Sequence, residues 1–421
     1  MSPRATSTPS RPADCGIRAR PRRRARRLHR RPDAGAHAHP EKTVAPSGDG
    51  VLRIGTLFPT TGATSFLGAA QVAGVNAAVR EINAAGGFDG APVEVVNRDS
   101  GDATTEKAEE SFAALVEKGV DVIIGPSSSV LAERLLPRAI EAGIPLISPA
   151  ATYPGVGTDA EGFFARTVPA YPLQGVALGE LLTAQKAAEV ALVVGTDDVS
   201  GSITPTLTES LSANGGELVV TATVADAAAV ASAVSKVTTA KPDAVVLATP
   251  DNGDVTKALI TALVKAGYGG TKLWLTSQNL ADYSQALPAG TLKDVNGVLE
   301  GGRPDDAFIA KLKVEDPGLG DVRYAAEAYD ATVIAALAAI LAHDDGGASI
   351  AWKLGAVTQE GIRCSSFGEC ADVLSTEPDI AYEGVVGPLR FDAAGDPTRA
   401  RYDVLTYNGE NKAARTATTE G

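Results

Sequence analysis

The chain has 421 residues, 44% of them hydrophobic and 21% charged, which allows two or three domains and suits a globular protein with a packed core. Its net charge of −13 is unevenly placed: residues 1–40 hold eleven Arg against two Asp, a net +9, leaving −22 on residues 41–421. An acidic body argues against nucleic acid as partner, and no run of about 18 consecutive apolar residues marks a membrane-spanning helix.

The chain opens with the basic stretch RARPRRRARRLHRR at 18–31. A secretory leader carries an apolar core of about 7–15 residues behind its basic part, and none follows here. The segment therefore reads as an atypical or misread leader, or as a basic arm. Cys15 has nothing apolar before it to mark a lipid-anchored cysteine. Pro3, Pro9, Pro12, Pro21, Pro32 and Pro40 leave no helix-turn-helix pattern, which counts against a DNA-binding regulator. Residues 1–50 are expected to form a disordered leader that builds no core.

From Val51 the pattern alternates strand and helix. VLRIGTL reads as a buried strand, and Val72, Val75, Val79 and Ile82 mark one face of a helix over 68–85. PVEVV follows as a strand, then a helix lined by Ala108, Phe112, Leu115 and Val116, then the strands VDVIIG and IPLIS. Apolar runs alternating with amphipathic helices indicate a parallel sheet covered on both faces. The pattern restarts with VALVV (190–194), ELVVTA (217–222), DAVVLA (243–248) and KLWLTS (272–277), so two α/β lobes are expected. A long Ala-rich helix covers 323–342. The tail 382–408 alternates like a hairpin turning at DAAGD.

The motifs of common enzymes are missing: no Gly-x-Ser-x-Gly elbow, no Gly-x-Gly-x-x-Gly and no phosphate loop ending in Gly-Lys-Ser/Thr. His343 is the one histidine beyond residue 40. The pairs Asp197–Asp198 and Asp305–Asp306 read as caps and turns. A non-enzyme with no cofactor and no metal is expected; a hydrolase using the serine loop described next is the enzymatic alternative. Cys364 and Cys370, in GIRCSSFGECADVL, fit one disulfide formed in an oxidising compartment, with two free thiols as the alternative.

Two strands end in small, hydroxyl-rich loops: GPSSSV at 125–130 and SPAAT at 148–152. In open α/β sheets ligands sit beyond the carboxyl ends of strands. The first loop also opens a helix, whose leading amides lack partners, so a carboxylate suits the site. Helix capping by Ser127, Ser128 or Ser129, and a plain turn at SPAAT, are the alternatives. Charge-assisted hydrogen bonds contribute ~1.5–3 kcal/mol each. Two or three of them fall short of the ~8 kcal/mol of micromolar binding, so the rest of the ligand must bury surface elsewhere.

In order along the chain, RIGTLFPTTG, GAAQVAGVNAAVREINAAGGFDGAPVEVVNRDSGD, VIIGPSSS, PLISPAAT, AYDAT and VVGPLRFDAAGDP resemble the leucine/isoleucine/valine-binding class of periplasmic binding proteins, over about Val51 to Asn408. The resemblance implies the type 1 periplasmic binding fold: two doubly wound parallel-sheet lobes, joined by a three-strand hinge, that close on a ligand. Its lobes would be 51–169 with 304–380 and 170–303 with 381–421. It implies a monomeric, extracytoplasmic solute-binding subunit of an ABC importer, whose partners are a small amino acid, amide or carboxylate solute and a membrane permease. The alternative is a small-solute sensor that signals to a regulator.

The resemblance assigns the ligand carboxylate to Ser129, with Ser128 nearby, and to Ala150, Ala151 and Thr152. It assigns a cleft wall to Phe66 and Leu67 and a packing ring to Tyr324. On the second lobe the chain departs from the family. Gln278 stands where amino-acid binders carry an acid for the ligand ammonium, Tyr171 replaces an aspartate, and Val199 and Ser200 replace an aromatic. Asp251, Asp282 or Asp198 would have to compensate.

Overall fold

The computed structural model describes residues 44–421, apart from Ala63, Gly302 and Glu360. The expected leader therefore lies outside the described residues up to position 43, and Cys15 with it. The chain from Val44 onward is built on two large sheets. The first is five-stranded and parallel, in the order β2 (Glu94–Asp99), β1 (Arg53–Phe58), β3 (Val122–Ile124), β4 (Leu146–Ser148) and β5 (Phe164–Arg166). Helices α1 (Gly68–Ala84), α2 (Lys107–Glu117) and α3 (Ser129–Ala142) link its strands. β3 and β4 are buried at every residue, as covered parallel strands must be. On α2, Ala108, Phe112 and Leu115 point inward, while Val116 faces solvent, contrary to expectation.

The second sheet runs β15 (Ala413–Glu420), β14 (Arg401–Tyr407), β10 (Asn296–Glu300), β9 (Leu273–Leu275), β8 (Ala244–Ala248), β6 (Glu189–Val194) and β7 (Glu217–Thr223). β14 and β15 are antiparallel additions to a parallel sheet. Helices α4 (Gln174–Ala184), α6 (Ile203–Ala213), α7 (Val230–Ala240) and α8 (Asp254–Lys265), with the single turn α5 (Asp198–Gly201), join its strands. Between β10 and β14 come α9 (Asp306–Glu315), α10 (Ala325–Ala342), α11 (Gly347–Lys353) and α12 (Phe367–Leu374). With them come the short strands β11 (Ile362–Cys364), β12 (Ile380–Gly384) and β13 (Gly387–Pro388). The chain thus passes between the sheets three times: after β5, after β10 and after β13.

Three features differ from the sequence reading. α10 is long and apolar enough to cross a membrane, but 83% of it is buried, and it serves as the central helix of the first lobe, packed on α1. The second lobe does not resume at 381, because Ile380, Tyr382, Leu389 and Phe391 pack into the same core as α1 and α10. The long hairpin is β14–β15 (401–420), whereas DAAGD turns only a narrow loop bridged at Phe391 and Pro397.

The segment just before β1 is fastened, not free as expected for 1–50. Gly48 N donates to Asp344 Oδ1 at 2.9 Å, and Gly50 and Val51 N donate to Asp345 at 3.1–3.2 Å. Asp121, at the foot of β3, accepts Arg53 N at 2.7 Å. Burial first, then the neighbouring Asp345 and Asp49, push its carboxyl up to about 7. The folded state therefore binds a proton there that the unfolded chain releases above its ordinary pKa near 3.8. Stability should fall as pH rises from about 4 to about 7. Asp121→Asn keeps the acceptor for Arg53 N and removes the charge. Urea titrations across that range should show the fall shrink by on the order of 1 kcal/mol, discounted for partial exposure; an unchanged slope would assign it to other groups.

Cys364 and Cys370 form a disulfide, with Cα atoms 5.2 Å apart. It packs into the first-lobe core beside Phe367 and Tyr382, not at the lobe junction. The loop it closes is short, so Cys364→Ser with Cys370→Ser should cost ~2 kcal/mol or less. Peptide mass spectrometry should find Cys364 and Cys370 linked to each other, and free thiols at both positions would contradict the pairing.

Candidate functional site

The two hydroxyl loops lie at the carboxyl ends of β3 and β4, the adjacent third and fourth strands of the first sheet. Gly125 has φ 120°, and a Cβ there would fall 2.4 Å from the Leu57 carbonyl oxygen. Only glycine lets the backbone turn this close to β1. Ser127 Oγ donates to Gln71 Oε1 at 2.5 Å, and Ser128 caps α3, accepting Leu131 N at 3.5 Å. Ser129 does something else: its Oγ accepts both Thr152 N (3.1 Å) and Tyr153 N (3.2 Å), tying the first loop to the second. Ser148 Oγ completes the stitch by donating to Pro126 O at 2.6 Å and accepting Ala151 N at 3.0 Å.

Beneath the second loop sits Arg166, with no exposed surface. Its Nη1 donates to the carbonyls of Ala151 and Tyr153, both at 2.8 Å, while Nε and Nη2 grip Asp396 at 2.6 and 3.1 Å. Tyr171 N donates to Thr152 O at 2.7 Å. Thr152 is thus held by both its amide and its carbonyl, while its half-buried hydroxyl bonds to no described residue. Ser129 keeps its own hydroxyl proton to give. Ala151 is fully buried and Ala150 is half-buried at the loop surface. The arrangement offers two hydroxyl donors beside the start of α3, where Ser128 already takes the amides of Leu131 and Ala132, and this suits an anion.

Phe66 is exposed and Leu67 half-buried in the 3₁₀ turn 65–67 after β1. The Arg323 guanidinium lies 5.0 Å from the Phe66 ring centre, and Tyr324, the next residue, starts α10 at φ 58°. Arg323 thus stacks on Phe66 one residue before Tyr324. The sequence reading passed over Arg323, which looks like any solvated arginine.

The second lobe corrects several expectations. Tyr171 is fully buried in the core with Leu178, Leu192 and Trp274, and its hydroxyl donates to Thr276 Oγ1 at 2.9 Å. The ring drops into this core just after the first crossover, so it offers no face to a ligand. Burial holds its phenol well above the usual range. Ser200 is also fully enclosed. Asp251, Asp282 and Asp198 are exposed, and the first two spend their carboxylates on the turn amides of Gly253 and Ser284.

Among the described residues of the second lobe, the buried atoms without partners include Asp197 Oδ2, Ser200 Oγ and Gln278 Oε1. A Cβ on Gly195 would lie 2.6 Å from Asp197 Oδ2 and 3.1 Å from Ser200 Oγ, so those two close on one point. The second-lobe strand ends thus carry two acceptors, the Asp197 carboxylate oxygen and the Gln278 amide oxygen, beside a Ser200 hydroxyl that can give or accept. Asp197 had read only as a cap, and it is one, accepting Ser200 N at 2.8 Å through its other oxygen.

The crossovers meet the first turns of α10. Thr167 Oγ1 donates to Glu327 O at 2.8 Å; Glu327 Oε1, buried and unpartnered, lies 2.1 Å from where a Cβ on Gly301 would stand. Asp330 accepts Tyr382 Oη (2.7 Å), Val385 N (3.0 Å) and Val386 N (2.9 Å), just before the third crossover. Burial raises the carboxyls of Glu300 and Glu327, and Asp330 is pushed up to about 6.

A family model described as Periplasmic binding protein matches residues 51–399. The chain belongs to the periplasmic binding protein family. Among characterised relatives, glutamate receptor 3.1 of Oryza sativa subsp. japonica is 28% identical over 320 residues, 70% of this chain. That match is 34% of the receptor, so the chain spans about a third of that relative's length. The chemotactic signal transduction system substrate-binding protein BasB of Halobacterium salinarum is 26% identical over 372 residues, 82% of this chain and 84% of BasB.

Two solved periplasmic binding structures share its fold. One is the branched-chain amino acid transporter substrate-binding protein LivJ of Streptococcus pneumoniae in complex with isoleucine (22% identity, 88% of this chain and 100% of that one, TM-score 0.60). The other is an ABC-transporter solute-binding protein of R. palustris in complex with benzoate (21% identity, 88% and 96%, TM-score 0.56). This periplasmic binding protein therefore has the type 1 fold of two α/β lobes.

Proposed function

We propose that this periplasmic binding protein is a non-enzymatic, extracytoplasmic, monomeric solute-binding subunit of an ABC importer. It captures a small amino acid, amide or carboxylate solute between its lobes by hinge closure and delivers it to a membrane permease; nucleic acid is not a partner. The lobes divide after β5, after β10 and between Phe391 and Arg401. The observation that carries this reading is the Thr152 hydroxyl, which bonds to no described residue although Ser129 and Tyr171 fix its backbone and Arg166 fixes the residues on either side. Ser129, Thr152, Ala150 and the start of α3 hold the carboxylate, Phe66, Leu67 and Tyr324 form the wall, and Gln278 with Asp197 meets the donor end of the solute.

A thermal-shift screen of amino acids, amides, ureas and small organic acids tests it. A true ligand at 100 times its dissociation constant adds about 2.7 kcal/mol of stability. A screen in which no carboxylate raises the melting temperature counts against the reading. The likeness to BasB, named for chemotactic signal transduction, favours a second reading as a sensor subunit. Solute-dependent stimulation of a permease ATPase in vesicles selects import over sensing.

A further inference from the structure

The first two crossovers close on one acid. Glu327, in the first turn of α10, is 1% exposed, and its Oε1 meets no partner. Thr167, on the first crossover, donates its hydroxyl to the Glu327 carbonyl at 2.8 Å. Gly301, on the second, has φ 76° and stands so close that a Cβ there would fall 2.1 Å from Glu327 Oε1. Ala325, Ala326 and Ala328 fix this end of α10 in the first-lobe core, so Glu327 stays with the first lobe while Gly301 follows β10. No cation balances the acid. The charged groups acting on it are Asp330 on its own helix, Glu300 at the end of β10 and Asp403 on β14, all acids, and its own backbone amide is what favours the anion. The arginines of these elements are engaged elsewhere: Arg323 with Asp321, Arg415 with Asp403, Arg303 toward Asp306, while Arg401 acts on Asp330. Tyr324 and Tyr402 are phenols that burial holds above the usual range. Glu300 is better served, since Gln174 Nε2 lies 3.1 Å from its Oε2 and Ser277 also bonds it.

We propose that Glu327 is a proton-operated wedge in the hinge: protonated, it lets the crossovers pack as they do here, and ionised, it draws water between α10 and Gly301 and swings the lobes apart. The inference rests on the hinge motion of the proposed function, not on the identity of the solute. An anion shut from water without a cationic partner is strongly disfavoured. In this arrangement the acid therefore keeps its proton, in line with burial raising its carboxyl well above the ordinary 4.5. With the crossovers spread, water reaches the group and it ionises near that ordinary value. The arrangement that holds the proton is thus favoured at low pH and loses ground as pH rises through the raised value. The proton goes to solvent. The pH thereby sets the resting lobe angle of the empty protein, and with it the fraction of molecules poised to take a solute.

Small-angle X-ray scattering of the solute-free full chain, from about pH 5 to about pH 9, tests the wedge. The radius of gyration of the wild-type protein should rise with pH and settle once Glu327 is ionised. Glu327→Gln, which mimics the protonated acid, should keep the low-pH radius throughout. Glu327→Met, of similar length and without charge, should do the same, and it decides the matter if the glutamine variant melts early. Glu300→Gln should still show the rise, shifted to lower pH, because removing a neighbouring acid eases the ionisation of Glu327. A wild-type radius that stays level or falls, a rise that survives in the folded Glu327 variants, or a rise lost in Glu300→Gln overturns the inference. No solute enters the experiment, so its failure is distinct from a screen in which no carboxylate binds the loops.

Discussion

Arg166→Ala should destabilise the protein by about 3–5 kcal/mol and abolish solute binding, because it strands a largely buried carboxylate and two loop carbonyls at once. Arg166 is fully buried, its partner Asp396 lies 230 residues away, and its other bonds go to Ala151 and Tyr153 within the second hydroxyl loop. One side chain thus pins the third crossover to the candidate site. Lysine keeps the charge but lacks the planar fork that serves carboxylate and carbonyls together, so Arg166→Lys should fall between alanine and wild type. Denaturant titration gives the stability and calorimetry the affinity. Wild-type stability in Arg166→Ala would mean that the buried pair is no structural anchor.

Thr152→Val should leave stability near wild type and weaken carboxylate binding by ~1.5–3 kcal/mol, roughly ten- to a hundredfold. Valine keeps the volume and β-branching of threonine, and the hydroxyl it removes bonds to no described residue. Ser129→Ala should behave differently. Its Oγ accepts the amides of Thr152 and Tyr153, so alanine should cost ~1–3 kcal/mol of stability as well as affinity. The double variant should lose less affinity than the sum of the two, since both hydroxyls serve one carboxylate. Thermal melts beside titrations separate these cases. A Thr152→Val protein with lowered stability and unchanged affinity would mark the loop as a plain turn.

The long apolar runs at β1, β3, β4, β6, β8 and β9 were legible because a strand covered on both faces has to be apolar throughout. β5 and β10 were not. Phe164–Arg166 is three residues long and ends in a charge, and Asn296–Glu300 carries glycine and an acid. Both end at a crossover, and they contribute Arg166 and Glu300. The edge strand β15, AARTATTE, is mostly exposed and carries no hydrophobic alternation, so the hairpin was placed too early. At the site, small hydroxyl residues at strand ends pointed to Ser129 and Thr152. The roles of Arg166, Asp197 and Glu327 depend on partners far along the chain or on buried atoms without partners, and spacing along a sequence carries neither. Tyr171 was misplaced because an aromatic beside a hinge reads alike whether it faces a cleft or a core.

The most direct measurement compares, by calorimetry, the affinity of the wild-type protein for a carboxylate solute found in the screen and for its primary amide, then repeats both titrations with Thr152→Val. The account predicts that the acid binds wild type at least about tenfold more tightly than the amide, and that most of this preference disappears in Thr152→Val while the melting temperature of the empty protein is unchanged. Equal affinities for acid and amide in wild type, or a preference that survives in Thr152→Val, would contradict it.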